Sequence, residues 1–302
     1  MRPLAFFLMA AVLGAGGAAR AQTPAPTAGE ELKRLCATVG MNPIDAREAA
    51  RRAECILTGT LPSSNRYEEA RVLARWALSK GEPTGGLMLY LAFQNDPANQ
   101  PARDGKADAE AYRRLAARTV PERREQIEAI EGLGFAAGKG NRAAGTLLAA
   151  YFHDTLAPRN VSRLGAITGV LLRTGERDAV IERFAREADA VAREAAGTKA
   201  SARAFFGAYG DAAAAAKQGY RELSGGKTCE APQLKSVEAG ELQDAQFLPL
   251  AGTLVAESYL VRGHWTETWT FSACAQSVPV KVRFEADGWG GGTSSAGFHK
   301  GA

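Results

Sequence analysis

The scarcities of this chain narrow its chemistry before any motif is considered. It has three histidines among 302 residues, no C-x-x-C pair and no G-x-S-x-G elbow, so neither a zinc site nor a serine nucleophile has a footing. It lacks a strong charge of either sign: formally +4, falling to +2 without Arg2 and Arg20. That balance leaves no basic footprint for nucleic acid. Its clearest apolar run, Leu4 to Leu13, is about half of the roughly 20 residues a membrane helix needs.

That short run is nonetheless informative. Arg2 precedes it and Ala19-Arg20-Ala21 follows, just before Gln22, the order of a secretory leader. Residues 1–21 read as a signal peptide cut after Ala21, which places the product in the periplasm or outside the cell. The first cysteine is Cys36, so no lipid-bearing cysteine stands at the new N-terminus and no stable membrane anchor is expected. Residues 22–29 (QTPAPTAG) have the composition of a disordered linker.

Four cysteines, an even number, read as two disulfides in an oxidising compartment. Three pairings are possible. Cys36 with Cys55 and Cys229 with Cys274 is favoured, because each pair then lies within one apparent structural unit. On the chain-entropy model, loops of about 20 and 46 residues would each stabilise by about 3 to 4 kcal/mol. Four ligands for a metal is the rival reading; the spacing and scarce histidines speak against it, and no cofactor signature is present.

From 30 to 223 the chain is rich in Ala, Arg, Glu and Leu and punctuated by Gly and Pro, the signature of short helices. The coarse expectation is about eight or nine helices, drawn from ten candidate segments at 30–39, 43–57, 66–80, 84–95, 107–117, 121–137, 142–152, 158–173, 177–195 and 200–223. Pro43, Pro121 and Pro158 suit first-turn positions. Lys80-Gly81-x-x-x-Gly85-Gly86-x-x-Leu89-x-x-x-Phe93 recurs 59 residues on as Lys139-Gly140-x-x-x-Ala144-Gly145-x-x-Leu148-x-x-x-Phe152. The helix, Gly turn, helix order returns once more around Gly175. Such units cannot bury their apolar faces alone, so they stack.

Through Ala77-Leu78-Ser79-Lys80-Gly81 with Gly86-Leu87-Met88-Leu89-Tyr90, and 136–140 with 144–151, the chain resembles the Sel1-like and tetratricopeptide class of α-hairpin repeats. The resemblance covers about 67–195. It implies a scaffold that holds a protein or peptide in a concave groove, and it carries over no catalytic residue. That family usually repeats near 36 residues; the longer shift departs from this, and 99–106 (NQPARDGK) reads as a lengthening loop.

At Ser224-Gly225-Gly226-Lys227 helix formers give way to alternating Val, Thr, Trp and Phe, the mark of a half-buried antiparallel sheet. A small β-domain is expected over 227–297, with strands at 251–261, 264–273, 278–286 and after Gly292. A domain so small needs a staple, which Cys229–Cys274 would supply. The fold class expected is therefore mainly α, hairpin repeats in a solenoid-like array followed by a small disulfide-stapled antiparallel sheet.

The densest constellation is His264-Trp265-Thr266-Glu267-Thr268-Trp269-Thr270-Phe271. At period two, Trp265, Glu267, Trp269 and Phe271 share one face. That face is either the sheet's core or an open stacking platform for a glycan or cationic peptide with Glu267 as its polar contact. As core, Glu267 needs a partner, and Arg262, Lys281 or Arg283 could supply it. A catalytic Glu267 lacks a second carboxylate at a certifiable spacing. The W-x-E-x-W-x-x-x-x-C run followed by V-x-V-x-V-x-F also resembles the C-terminal β-domain of some uncharacterised exported bacterial proteins, over about 263–292; this implies a shared small fold and no activity.

The remaining motifs have plainer readings. His153-Asp154 ends a helix, where histidine caps carbonyls. His264 and Glu267 form H-x-x-E without a second histidine nearby. Gly226-Lys227-Thr228 resembles the end of a phosphate loop, but the required upstream glycine is Arg221. The alanine run 212–216 is either a solvent-facing connector or a packed helix. The reading that best fits is an exported, non-enzymatic binding or scaffold protein with a protein or peptide partner in the cell envelope and no catalytic or metal residues. The competing reading is an envelope glycan-binding or glycan-cleaving protein working through Trp265, Glu267 and Trp269. A third is a structural protein that pairs with a neighbour through a sheet edge.

Overall fold

A computed structural model describes residues 28–103, 106–175 and 178–298; the expected signal peptide, most of the linker and His299 lie outside them. Among the described residues ten α-helices are followed by a five-stranded antiparallel sheet, so the chain is mainly α with a stapled C-terminal sheet. By contacts it divides into two compact units, 1–112 and 113–302. The composition change at 224–227 is therefore not where the compact units part: the last helices and the sheet belong to one unit.

The first unit holds α1 (Ala28–Ala37), α2 (Ala46–Leu57), α3 (Arg66–Ser79) and α4 (Pro83–Asn95). A two-residue ladder, β1 (Ala102–Arg103) with β2 (Lys106–Ala107), follows where a plain loop was expected. Helix α2 starts at Ala46 rather than Pro43 because the Asp45 carboxylate accepts from Glu48 N–H at 2.8 Å, while Glu48 accepts from Ile44 N–H at 2.8 Å. This reciprocal cap satisfies two donors that a helix begun earlier would leave open. Ala49, Ala50, Ala53, Ala70, Ala74 and Ala77 are all buried. Helices α2 to α4 thus meet through methyl groups, and Cys36–Cys55 ties α1 to α2.

Helix α5 (Ala109–Ala116) leads into the second unit, which continues with α6 (Arg124–Gly138), α7 (Arg142–Asp154), α8 (Asn160–Thr174), α9 (Ala179–Glu194) and α10 (Ala202–Leu223). Consecutive helices from α6 to α9 pack on each other. Side chains of Asn141, Asp178 and Ser201 cap α7, α9 and α10. The alanine run lies in α10 with Ala212 and Ala216 fully buried; it is a packed helix, lying against β5, β6 and β7.

The sheet comprises β3 (Gln233–Ala239), β4 (Gln243–Phe247), β5 (Leu260–Ala273), β6 (Gln276–Ala286) and β7 (Gly292–Phe298). Its order is β3-β5-β6-β7, with β4 also on β5 beyond β3. The strand expected at 251–261 is mostly a turn. Val255 and Ala256 N–H groups bond back to Gly252 C=O at 2.9 and 2.8 Å, and the Val255 side chain packs beside Gly134. Burial there comes from a turn wedged against α6, not from a pleat. Tyr151 Oη and Ser258 Oγ are 2.9 Å apart, and Asn160 donates to both Thr155 C=O and Ser258 C=O. Those bonds lock helices to the approach of β5.

Cys229 and Cys274 are joined, with Cα atoms 5.8 Å apart. Both disulfides are the local pairs, and two of them fit an oxidising, extracytoplasmic location. Among the described residues no helix is long and apolar enough to cross a membrane.

Candidate functional site

Strand β5 alternates as its sequence requires: Trp265, Glu267, Trp269 and Phe271 are at most 1% exposed and share the inner face. Trp265 stacks on Phe284 at 5.3 Å between centroids, and Trp269 lies 4.9 Å from Phe205 of α10. Each indole turns its N–H to Glu267, Trp265 to Oε1 at 2.9 Å and Trp269 to Oε2 at 2.8 Å. The Thr198 hydroxyl lies 2.9 Å from both carboxylate oxygens, and Lys199 N–H donates to Oε1 at 2.8 Å. Ala200 N–H donates to Thr198 Oγ1 at 3.1 Å, which leaves that hydroxyl's proton for the carboxylate.

Four donors therefore surround one buried carboxylate, two from its own strand and two from the turn between α9 and α10. None is a cation. The expected partners are engaged elsewhere or face outward: Lys281 donates to Thr268 Oγ1 at 2.8 Å, and Arg283 lies 3.5 Å from Glu285. Arg262 sits in register with Gln246 of β4. Lys199 sends its ammonium to Gly240 C=O. Hydrogen bonds to an ionised acceptor are among the strong ones, and here they offset the cost of burying the charge. The platform reading is thereby corrected: Trp265, Glu267 and Trp269 form a closed clamp between sheet and helices, with no aromatic face open to a sugar ring.

His264 falls on the opposite face from Glu267, 4.0 Å from Asp244, so H-x-x-E does not converge on a metal. His153 does not cap the helix carbonyls as expected. Its Nδ1 lies 2.5 Å from Asp154 Oδ1, its Nε2 lies 2.7 Å from Glu187 Oε2 on α9, and the ring stacks on Phe184 at 4.6 Å. With both nitrogens on carboxylates, the ring ties α7 to α9 and has none left for a substrate. Among the described residues no cluster of three His, Cys, Asp or Glu could hold a metal ion.

A third buried polar group lies beneath the 287–291 loop. Arg123, 1% exposed, donates to Leu115, Ala116 and Arg118 carbonyls and so caps the end of α5. Tyr259 lies beside it. Burial pushes the Tyr259 phenol well above the ordinary tyrosine range, and Gln126 and Arg123 pull back only part of that shift. Burial likewise lowers the Arg123 guanidinium. These groups are core supports.

Gly225 and Gly226, at φ 69° and 103°, turn the chain from α10 into β3. They line an open cleft of about 770 Å³ with Lys217, Arg221, Thr228 and Glu230. Its charges are mixed, and Lys217 lies 3.8 Å from Glu230.

The two echoed turns are built alike. Gly81 and Gly140 have φ of 81° and 84°. Each sends its N–H three residues back, and Glu82 and Asn141 bond to Ala77 and Ala136 C=O, both at 3.1 and 3.0 Å respectively. This is the Schellman ending, for which glycine is the residue of choice. Gly85 then lets α4 approach Ala74 and Leu78 of α3 too closely for any side chain, and Leu89, Phe93, Leu148 and Phe152 are buried at matching places. Around Gly175 the likeness fails: its φ is −148°, extended rather than left-handed.

Extended four residues upstream, the echo aligns Trp76 with Phe135. Both are partly exposed, 38% and 36%, and Lys139 sits 5.6 Å over the Phe135 ring. The same aromatic position on the first helix of each hairpin thus faces solvent. The signal was present in the repeat, Trp76-x-x-x-Lys80-Gly81 against Phe135-x-x-x-Lys139-Gly140, but it lay outside the Gly and Leu positions that define the echo. Compared with family models, curated proteins and solved structures, the chain matches none of them.

Proposed function

We propose that this chain is an exported, non-enzymatic binding protein whose α-hairpins hold a protein or peptide partner of the cell envelope. The observation that carries the reading is the recurrence of a solvent-facing aromatic, Trp76 and Phe135, at one place in two hairpins of the same construction. A core position needs no exposed ring, whereas aromatics anchor interfaces at low entropic cost. The similarity to Sel1-like and tetratricopeptide hairpins points the same way, as does the commitment of the Glu267 carboxylate to four internal donors. The leader-like residues 1–21 and the paired cysteines support a periplasmic or secreted location.

The test is a quantitative pulldown from native envelope extract with the wild-type chain and with Trp76→Ala/Phe135→Ala. A saturable partner that the double variant holds about tenfold less tightly supports the proposal. No saturable partner, or one retained equally by the variant, contradicts it.

A further inference from the structure

The two edges of the sheet are finished differently. One edge is formed by β3 and β4. Strand β3 carries Lys235 and Glu238 and shifts register between Leu234 and Ser236; β4 shifts register twice and holds Asp244 at φ 51°. Charges, kinks and short strands are the ordinary means by which an edge resists pairing with another chain. The opposite edge is β7, Gly292-Thr293-Ser294-Ser295-Ala296-Gly297-Phe298. It has no charge, no proline and no register shift against β6. Residues 292–295 are exposed, and among the described residues no backbone or side-chain hydrogen bond reaches the groups of β7 that point away from β6. Helix α10 packs against β7, with Gly219 in contact with Phe298, which holds the strand in place while its edge stays unpaired.

We infer that β7 is a self-association edge that pairs antiparallel with β7 of a second copy, making one continuous sheet across a two-fold axis at Ser295. The strand's own sequence argues for that occupant. Centred on Ser295, antiparallel pairing sets Gly292 opposite Phe298, Thr293 opposite Gly297 and Ser294 opposite Ala296. No like charges meet across the axis, so the strand can pair with its own copy without repulsion. An isologous contact of this kind closes at two copies.

Ser295 lies opposite Arg283 of β6, so a glutamate there is compatible with the single chain while setting two carboxylates face to face across the axis. The experiment is sedimentation equilibrium of the full oxidised chain over a wide concentration range, for wild type, Ser295→Glu, Ser295→Lys and the mixture of the two variants. The wild type should pass from monomer to dimer. Each variant alone should dimerise about fivefold more weakly, and the mixture should recover the wild-type constant or better. Amide exchange at alternate residues of β7 in the wild type should slow as concentration rises, a readout that needs no variant. A wild type that stays monomeric throughout, association equally strong in both variants, or a monomer whose β7 gains protection only on adding an extended peptide would each overturn the inference.

Discussion

The molecule has two sets of conspicuous aromatics and uses them in opposite ways. On β5, Trp265 and Trp269 are buried and fastened by their N–H groups to one carboxylate. On α3 and α6, Trp76 and Phe135 stand at matching positions with a third or more of their surface in water. The difference teaches that density of aromatics and charge in a motif does not mark a site. A strand face of alternating aromatics is first a core, and a carboxylate within it is satisfied from wherever the chain brings donors. A ring left outside by a fold that repeats the same turn twice is the more informative feature.

The largest effect should come from the clamp. Glu267→Ala strands two indole N–H groups and the Thr198 hydroxyl in the core and should cost about 3 to 5 kcal/mol in urea unfolding. Trp76→Ala should cost less than about 1 kcal/mol, as surface changes do. Equal losses would break the contrast between the two aromatic sets.

The staples sharpen it next. Losing Cys229–Cys274, whose partners are 45 positions apart, should cost about 4 kcal/mol, and losing Cys36–Cys55, 19 apart, about 3. Paired Cys→Ala variants followed by denaturant melts would read both, and a reversed order would contradict the loop-length account.

Alkaline pH tests the support under the sheet. Because the folded Tyr259 phenol is raised, its contribution is whole below the ordinary tyrosine value near 10 and is lost as pH climbs toward the folded value. The unfolded chain then loses its proton first, and stability should fall by about 1.4 kcal/mol per pH unit from this group. Melts above pH 10 should show that slope reduced in Tyr259→Phe; an unchanged slope would remove Tyr259 from the account.

The smallest effect concerns the two hairpins as copies. Gly81→Ala and Gly140→Ala each force a side chain into the left-handed region and should each cost about 1 kcal/mol, within error of one another. A large inequality in thermal melts would mean that the turns are alike only in shape.

Much of this architecture was legible because helices announce their ends. Glycine at 81 and 140, Asn141, Asp178 and Ser201 mark turns and caps by local chemistry alone. Strands β3 and β4 were not legible: at an edge only Val237 of β3 is buried, so no alternation is imposed on the sequence. Residues 251–261 read as a strand where Gly252 makes a turn, since buried apolar residues such as Val255 and Leu260 report burial as much as backbone form. The donors to Glu267 were hidden for a different reason. Thr198 and Lys199 lie 69 and 68 residues upstream, and only the packing of the α9–α10 turn on the sheet brings them to it.

Acrylamide quenching of tryptophan fluorescence in two variants tests the contrast most directly. Trp76→Phe/Trp289→Phe leaves only Trp265 and Trp269, and Trp265→Phe/Trp269→Phe/Trp289→Phe leaves only Trp76. The account predicts strong protection in the first and ready quenching in the second. Free access of quencher to Trp265 and Trp269 would contradict the closed clamp and return the sheet face to candidacy as a binding surface.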